Sequence, residues 1–156
     1  MTEDLVDVHF RPFVRALGNL VITFAICENE LLSLVTAMVG DELRAINILK
    51  DQKTAKAEIV ALARGLGLAD FDRDELISGI DGFWNDKEIR NRLIHDYWFP
   101  NIVEPALINT RGVTRAKKPE IIFRDIDLDE VWALAARFQA YDDLFSYRTW
   151  ALSRDE

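Results

Sequence analysis

Apolar side chains recur every three to four residues along most of the chain, and this recurrence defines a series of amphipathic helices. The longest begins near Arg11-Pro12, since proline is acceptable in a first helical turn, and places Phe13, Leu17, Leu20, Phe24, Cys27, Leu31, Leu34 and Met38 on one stripe. Gly40 follows as a C′ residue. Asp41 caps a second helix, Glu42 to about Leu49, whose apolar face is Leu43, Ile46 and Leu49. Thr54 caps a third, carrying Ile59, Leu62, Ala63 and Leu66 and closed by Gly65 and Gly67. Asp70 or Asp72 opens a fourth, on which Leu76, Ile80, Phe83 and the stem of Lys87 share a face continued by Arg90, Ile94 and Tyr97. Pro100 stops the aromatic cluster Tyr97-Trp98-Phe99 that follows.

Between Asn101 and Asp125 the period changes. Ala106 to Thr110 and Glu120 to Arg124 read as two short strands around a loop holding Gly112 and Pro119, a β-hairpin at about 103–125. Asp127, with Glu130 three residues on, resembles a capping box and starts a final helix with Val131, Leu134, Phe138, Tyr141, Phe145 and Leu152 along its buried stripe. Repeats and long polar linkers are absent from the sequence, so residues 1–156 read as a single domain. The expected architecture is an all-α, antiparallel helical bundle with a small β-hairpin inserted before the C-terminal helix.

Composition narrows the chemistry. The chain has 156 residues, a net charge of −8, one cysteine and two histidines. A lone Cys27 excludes an internal disulfide framework and a thiolate zinc site, and it fits a reducing compartment. Two histidines leave little room for a His-rich metal centre, and no cofactor is expected. No apolar run is expected to reach the ~18 residues that a membrane span needs. The first four residues, Met1-Thr2-Glu3-Asp4, are acidic where a signal peptide is basic, so the expected location is cytoplasmic, away from membranes. The acidic balance disfavours coating of nucleic acid by bulk charge and leaves room for a local basic patch.

Walker loops, dinucleotide fingerprints, zincin motifs and nucleophile elbows do not occur in the sequence. The pairs Asp72/Asp74 and Asp142/Asp143 lack a neighbouring histidine or calcium-loop spacing and read as cap and surface charge. The segment from Glu88 to Trp98 is different, because arginine, asparagine, histidine and tyrosine gather there at one helix end. Cleaving a phosphodiester without a metal requires a proton shuttle near neutral pH and a fixed cation for the charge that builds on phosphate oxygens; histidine and arginine supply these. The same residues also admit a plain reading. Arg90 and Arg92 each follow an acid by four residues, Asp86 and Glu88, and His95 suits a helix C-terminus. At ~100° per residue, Asn91 and His95 lie within about 40°, whereas Arg90 and His95 are about 140° apart. Either the helix loosens, or the arginine wraps round, or a second chain completes a site.

Arg90-Asn91-Arg92-Leu93-Ile94-His95-Asp96-Tyr97 resembles the R-x-x-x-x-H motif of HEPN domains, with the frequent asparagine directly after the arginine. It also resembles the R-x-x-x-x-H-x-Y form of the HEPN toxins in MNT–HEPN toxin–antitoxin pairs. The likeness covers about Asp86 to Phe99 and elsewhere rests on helical layout. It implies a HEPN-like bundle that forms a homodimer, with two motif helices building a metal-independent endoribonuclease site, a toxin or defence enzyme. Arg90 would stabilise the phosphate, His95 transfer protons, Asn91 position the site, and Tyr97 stand where a partner nucleotidyltransferase antitoxin modifies such toxins. The hairpin and the long aromatic-rich last helix depart from the compact toxin pattern.

One histidine per motif agrees with a two-chain site, since cleavage by a ribose 2′-hydroxyl uses both a general base and a general acid. His9 reads as a bystander. Arg111, Arg115, Lys117, Lys118 and Arg124 give the hairpin a local positive charge suited to an RNA backbone, or simply to a soluble hairpin tip. Trp84, Trp98, Trp132 and Trp150 suit core or interface positions better than base stacking. The alternative function is a non-catalytic HEPN-like module that binds a nucleotide or a protein, and beyond that a plain helical scaffold.

Overall fold

A computed structural model describes residues 5–101, 103, 104 and 107–154, the side chains of residues 5–9 excepted. The described chain is mostly helical, in the order α1 (Leu5–Val39), α2 (Glu42–Lys50), α3 (Ala55–Arg64), α4 (Asp70–His95), β1 (Tyr97–Pro100), β2 (Leu107–Val113), β3 (Ile121–Asp127) and α5 (Leu128–Leu152). Most sequence boundaries hold, and the caps explain why. Gly40 ends α1 at φ 72°, a conformation that glycine adopts without a Cβ penalty. The Asp41 carboxylate accepts the Arg44 amide at 3.0 Å to start α2. Asp127 accepts the Asp129 amide at 2.8 Å to start α5. Three expectations are corrected. Pro12 lies inside α1, which begins at Leu5, so burial of Phe13, Ala16 and Leu20 outweighs the local cost of the missing N–H. Thr54 precedes α3 in a helical conformation, and its side chain makes no capping bond. Leu43, expected on the apolar face of α2, is exposed, and Ala45 is the residue that helix buries.

The chain gathers into two compact units, residues 1–22 with 87–136 and residues 23–86 with 137–156. The second is held by an aromatic core. Phe24 meets Phe138 edge-on at 5.1 Å and stacks on Phe83 at 5.8 Å, and Phe83 contacts Phe145 at 6.0 Å. Leu31, Leu34, Ile59, Leu76 and Ile80 are fully buried in the same unit. Each such side chain contributes about 1.5–3 kcal/mol on removal from water. Gly79 and Gly82 let α5 approach α4 closely, since a Cβ at either would meet the side chain of Leu144 or Tyr141. Asp86, buried on α4, accepts the Arg137 guanidinium at 2.8 and 3.0 Å and the Tyr141 hydroxyl at 2.7 Å. Asp72 does more than the surface role expected of it, accepting the buried Arg148 at 2.7 Å beside Glu75 at 3.3 Å.

The first unit is built on an antiparallel sheet in the order β1-β2-β3. The expected hairpin is β2 and β3, and β1 is a third strand that helical periodicity did not anticipate. Period-two alternation buries Ile108, Thr110 and Ile126 on one face. Among the described residues, Phe13, Ala16, Leu20, Leu93, Val131, Leu134 and Ala135 are the others buried in this unit, and Phe13 meets the Trp98 ring edge-on at 5.9 Å. Ala106, expected to start the first hairpin strand, lies outside the described residues.

Helix α1 corrects one further expectation. Between Phe10 and Val39 it is long and apolar enough, by length and composition, to cross a membrane, because such a stretch tolerates the occasional charge that breaks an uninterrupted run. The stripe from Phe13 to Val35 is nevertheless buried within protein, as the helical spacing predicts.

Two buried groups make stability sensitive to alkali. Burial, aided by the charges of Asp142, Glu28 and Glu30, pushes the Cys27 thiol from 9.0 to about 12, and burial together with the bond to Asp86 pushes the Tyr141 phenol from 10.0 to about 12. Both are raised in the folded state, so their contribution is complete below pH 9 and is lost as pH rises toward 12. Urea midpoints should fall over that window, and the fall should be shallower in Cys27→Ala; an identical slope in the variant would contradict this.

Candidate functional site

Helix α4 stays regular to its last residue, His95, and the Asp96 amide still donates to the Arg92 carbonyl at 2.8 Å. The motif residues Arg90, Asn91 and His95 therefore sit on an unbroken helix. The arginine reaches sideways, its Nη1 donating to Asn91 Oδ1 at 3.0 Å. Asn91 lies one turn before His95 on the same face, so it is the side chain that borders both the arginine and the histidine positions. His95 is exposed, and Arg90 and Asn91 are half-buried. Arg92 makes the expected surface pair with Glu88 at 3.3 Å. Asp86, the acid four residues before Arg90, is committed to Arg137 and Tyr141.

Tyr97 is not on the helix. The chain bends at Asp96, and Tyr97 opens β1 opposite Arg111. Tyrosine, tryptophan and phenylalanine favour a pleated surface, and Pro100 biases the residue before it toward extended backbone. The reversal is fixed from both sides. Trp98 Nε1 donates at 2.7 Å to the Leu93 carbonyl, one of the acceptors that the end of a helix leaves without an internal partner. Gly112 faces the Asp96 carboxylate so closely that a Cβ would collide with both of its oxygens. The signal available in the sequence is Tyr97-Trp98-Phe99-Pro100 itself, three residues that favour strand followed by a proline that opposes helix.

The hairpin cations separate. Arg111 is exposed on the outer face of β2, and Arg115, Lys117 and Lys118 are exposed in the connection to β3. That connection is closed by the Thr114 amide on the Glu120 carbonyl and the Glu120 amide on Thr114 Oγ1, both at 2.9 Å. Arg124 pairs with Thr110 and follows the parity of the inner face, so it is half-buried and lies on the side opposite Arg111. Trp84 and Trp98 are half-buried; Trp132 and Trp150 are exposed, the latter under the Arg154 guanidinium at 4.3 Å. The side chain of His9 lies outside the described residues. Among the described residues, His, Cys, Asp and Glu side chains form no group of three placed to share a metal ion.

The end of α4 thus offers a cation, an amide and an exposed imidazole along one turn and a half of helix, with β1 and its aromatic side chains leaving directly from it. The arrangement suits an anion held by Arg90 and a proton exchanged at His95. Comparison with family models, curated proteins and solved structures found no match to this chain.

The close approach at Gly112 yields a test of how the site is held. Gly112→Ala should turn the Asp96 carboxylate aside and cost up to about 1 kcal/mol, read as a slightly lower urea midpoint. A variant as stable as the parent would show that the reversal tolerates a side chain there.

Proposed function

We propose that the chain is a HEPN-type endoribonuclease that works without a metal, its site completed when the ends of two α4 helices meet in a homodimer. The observation that carries this reading is the Arg90–Asn91 bond at 3.0 Å on a helix that stays regular to an exposed His95. In the reaction, one His95 takes the proton of a ribose 2′-hydroxyl and the 2′-oxygen attacks phosphorus. The bond from phosphorus to the 5′-oxygen then breaks, and the His95 of a second chain returns a proton to that oxygen. A cyclic 2′,3′-phosphate and a 5′-hydroxyl remain. Arg90 offsets the charge that develops on the non-bridging oxygens, and Asn91 holds the guanidinium through its side-chain oxygen.

A toxin or defence enzyme of a prokaryotic-type cytoplasm fits this chemistry. A nucleotidyltransferase antitoxin would act on Tyr97, whose side chain is 69% exposed and so open to modification. The second reading is a module that binds a nucleotide or a protein without turnover. It draws on the same bond, because an arginine held by its neighbour also makes a static anion site.

Two experiments test the reading. Purified protein in EDTA should cut RNA, and His95→Ala should slow the cut by about 10²–10⁴-fold, the usual range for a lost acid or base; equal rates in parent and variant would contradict it. Replacing Arg115, Lys117 and Lys118 together should weaken RNA binding and reduce the slope of log affinity against log salt by about 2, at ~0.7 per phosphate contact on a single strand. An unchanged slope would remove the hairpin tip from the RNA path.

A further inference from the structure

The sheet has a face that nothing in the described structure covers. Strand alternation turns Ile108, Thr110 and Ile126 inward and leaves Tyr97, Val113, Ile121 and Phe123 outward, 69%, 61%, 53% and 66% exposed. Register sets three of the outward positions in one row across the strands, Tyr97 opposite Arg111 and Arg111 opposite Phe123. An aromatic ring therefore stands on each side of a cation. The Tyr97 ring also stacks on Phe99 at 6.2 Å and 29°. Two strand spacings put Tyr97 and Phe123 about 10 Å apart.

We propose that this face is a stacking platform for unpaired RNA bases, in which Tyr97 and Phe123 each receive a base and Arg111 takes the phosphate between them. The proposal rests on the ribonuclease reading and names the form of its substrate. Stacked bases rise ~3.4 Å per nucleotide, so rings about 10 Å apart hold bases that are splayed from one another, as only a single strand allows. Charge selects the same occupant. On the outward face and at its tip, Arg111, Arg115, Lys117 and Lys118 stand against Glu120, with Asp125 and Asp127 at the far end of β3, a local positive excess in a chain of net charge −8. A two-fold pairing of the face with a second copy would bring together two patches with the same excess of positive charge, because both subunits contribute the same surface. A polyanion with aromatic bases complements both the charge and the rings. The platform also begins two residues after His95, so a strand lying on Tyr97 runs next to the proposed proton-transfer group.

The test uses the full chain carrying His95→Ala, so that RNA is bound and not cut, with a fluorescein-labelled unstructured oligoribonucleotide read by anisotropy. Adding Phe123→Ala should weaken binding about tenfold, the scale of one stacked base. Phe123→Leu, which keeps apolar bulk but has no ring, should be as weak, and Phe123→Trp should restore binding. A 2-aminopurine placed in the strand should be quenched by the His95→Ala parent and by Phe123→Trp, and not by Phe123→Leu. Leucine binding as well as phenylalanine would overturn the platform, as would unchanged RNA affinity with a shift in sedimentation, which would mark the face as an interface between copies. If RNA is bound and cleaved while all Phe123 variants behave alike, the platform alone fails; if the wild-type chain neither binds nor cuts RNA, the ribonuclease reading fails with it.

Discussion

The contact between Asp96 and Gly112 fixes more of this molecule than its size suggests. The carboxylate occupies the space that a Cβ would take, so glycine lets the Asp96 side chain lie against β2 where the chain leaves the helix. With that approach set, Tyr97 falls opposite Arg111 and Trp98 opposite Thr110. A slip of one residue would exchange the faces, turning Trp98 outward and Tyr97 inward. The Trp98 indole locks the same choice by donating to the Leu93 carbonyl, and Phe13 closes on its ring. His95 is the last helical residue before this reversal, and the aromatic row begins just beyond it.

In the other unit, helix α4 is fixed by different means. Asp86 there gathers Arg137 and Tyr141, and the phenylalanines at 24, 83, 138 and 145 surround the same stretch. A buried carboxylate holding two donors contributes more to the unique pairing of α4 with α5 than to net stability, since its desolvation offsets most of the attraction. The hydrogen bond to Asp86 raises the Arg137 guanidinium above its ordinary value, against the effect of burial. Apolar area supplies the stability of the unit, and the charged group selects the register.

Helical periodicity carried most of the fold. The stripes of α1, α4 and α5 emerged nearly residue for residue, because Phe13, Leu20, Phe24, Leu76, Phe83, Val131, Phe138 and Phe145 obey one period over many turns. The sequence reading failed where the period gave way to a short strand. Tyr97 fitted the helical phase of Arg90 by arithmetic, and only cross-strand pairing, a long-range property, removes it from the helix. Leu43 was misplaced for a related reason, since a nine-residue helix offers too few repeats to fix which side is inward. Asp72 and Asp86 looked like ordinary surface acids until Arg148 and Arg137, more than fifty residues away, were brought to them. In the candidate site, Arg90, Asn91 and His95 are legible as a cluster, while the Arg90–Asn91 bond is not, because it depends on the choice of one side-chain partner.

On the proposed reading, an acidic chain that acts on RNA must concentrate its positive charge, and here Arg111 and the exposed rings share the sheet that starts where α4 ends. The account turns on the claim that this helix end cleaves RNA through the ribose 2′-hydroxyl, with histidine rather than metal moving the protons. The direct measurement is cleavage in EDTA of an unstructured oligoribonucleotide beside the same strand made entirely of 2′-deoxy nucleotides, with product ends identified by mass. The account predicts a cut RNA ending in a cyclic 2′,3′-phosphate and an intact deoxy strand. Cleavage of both strands, or of neither, would contradict it.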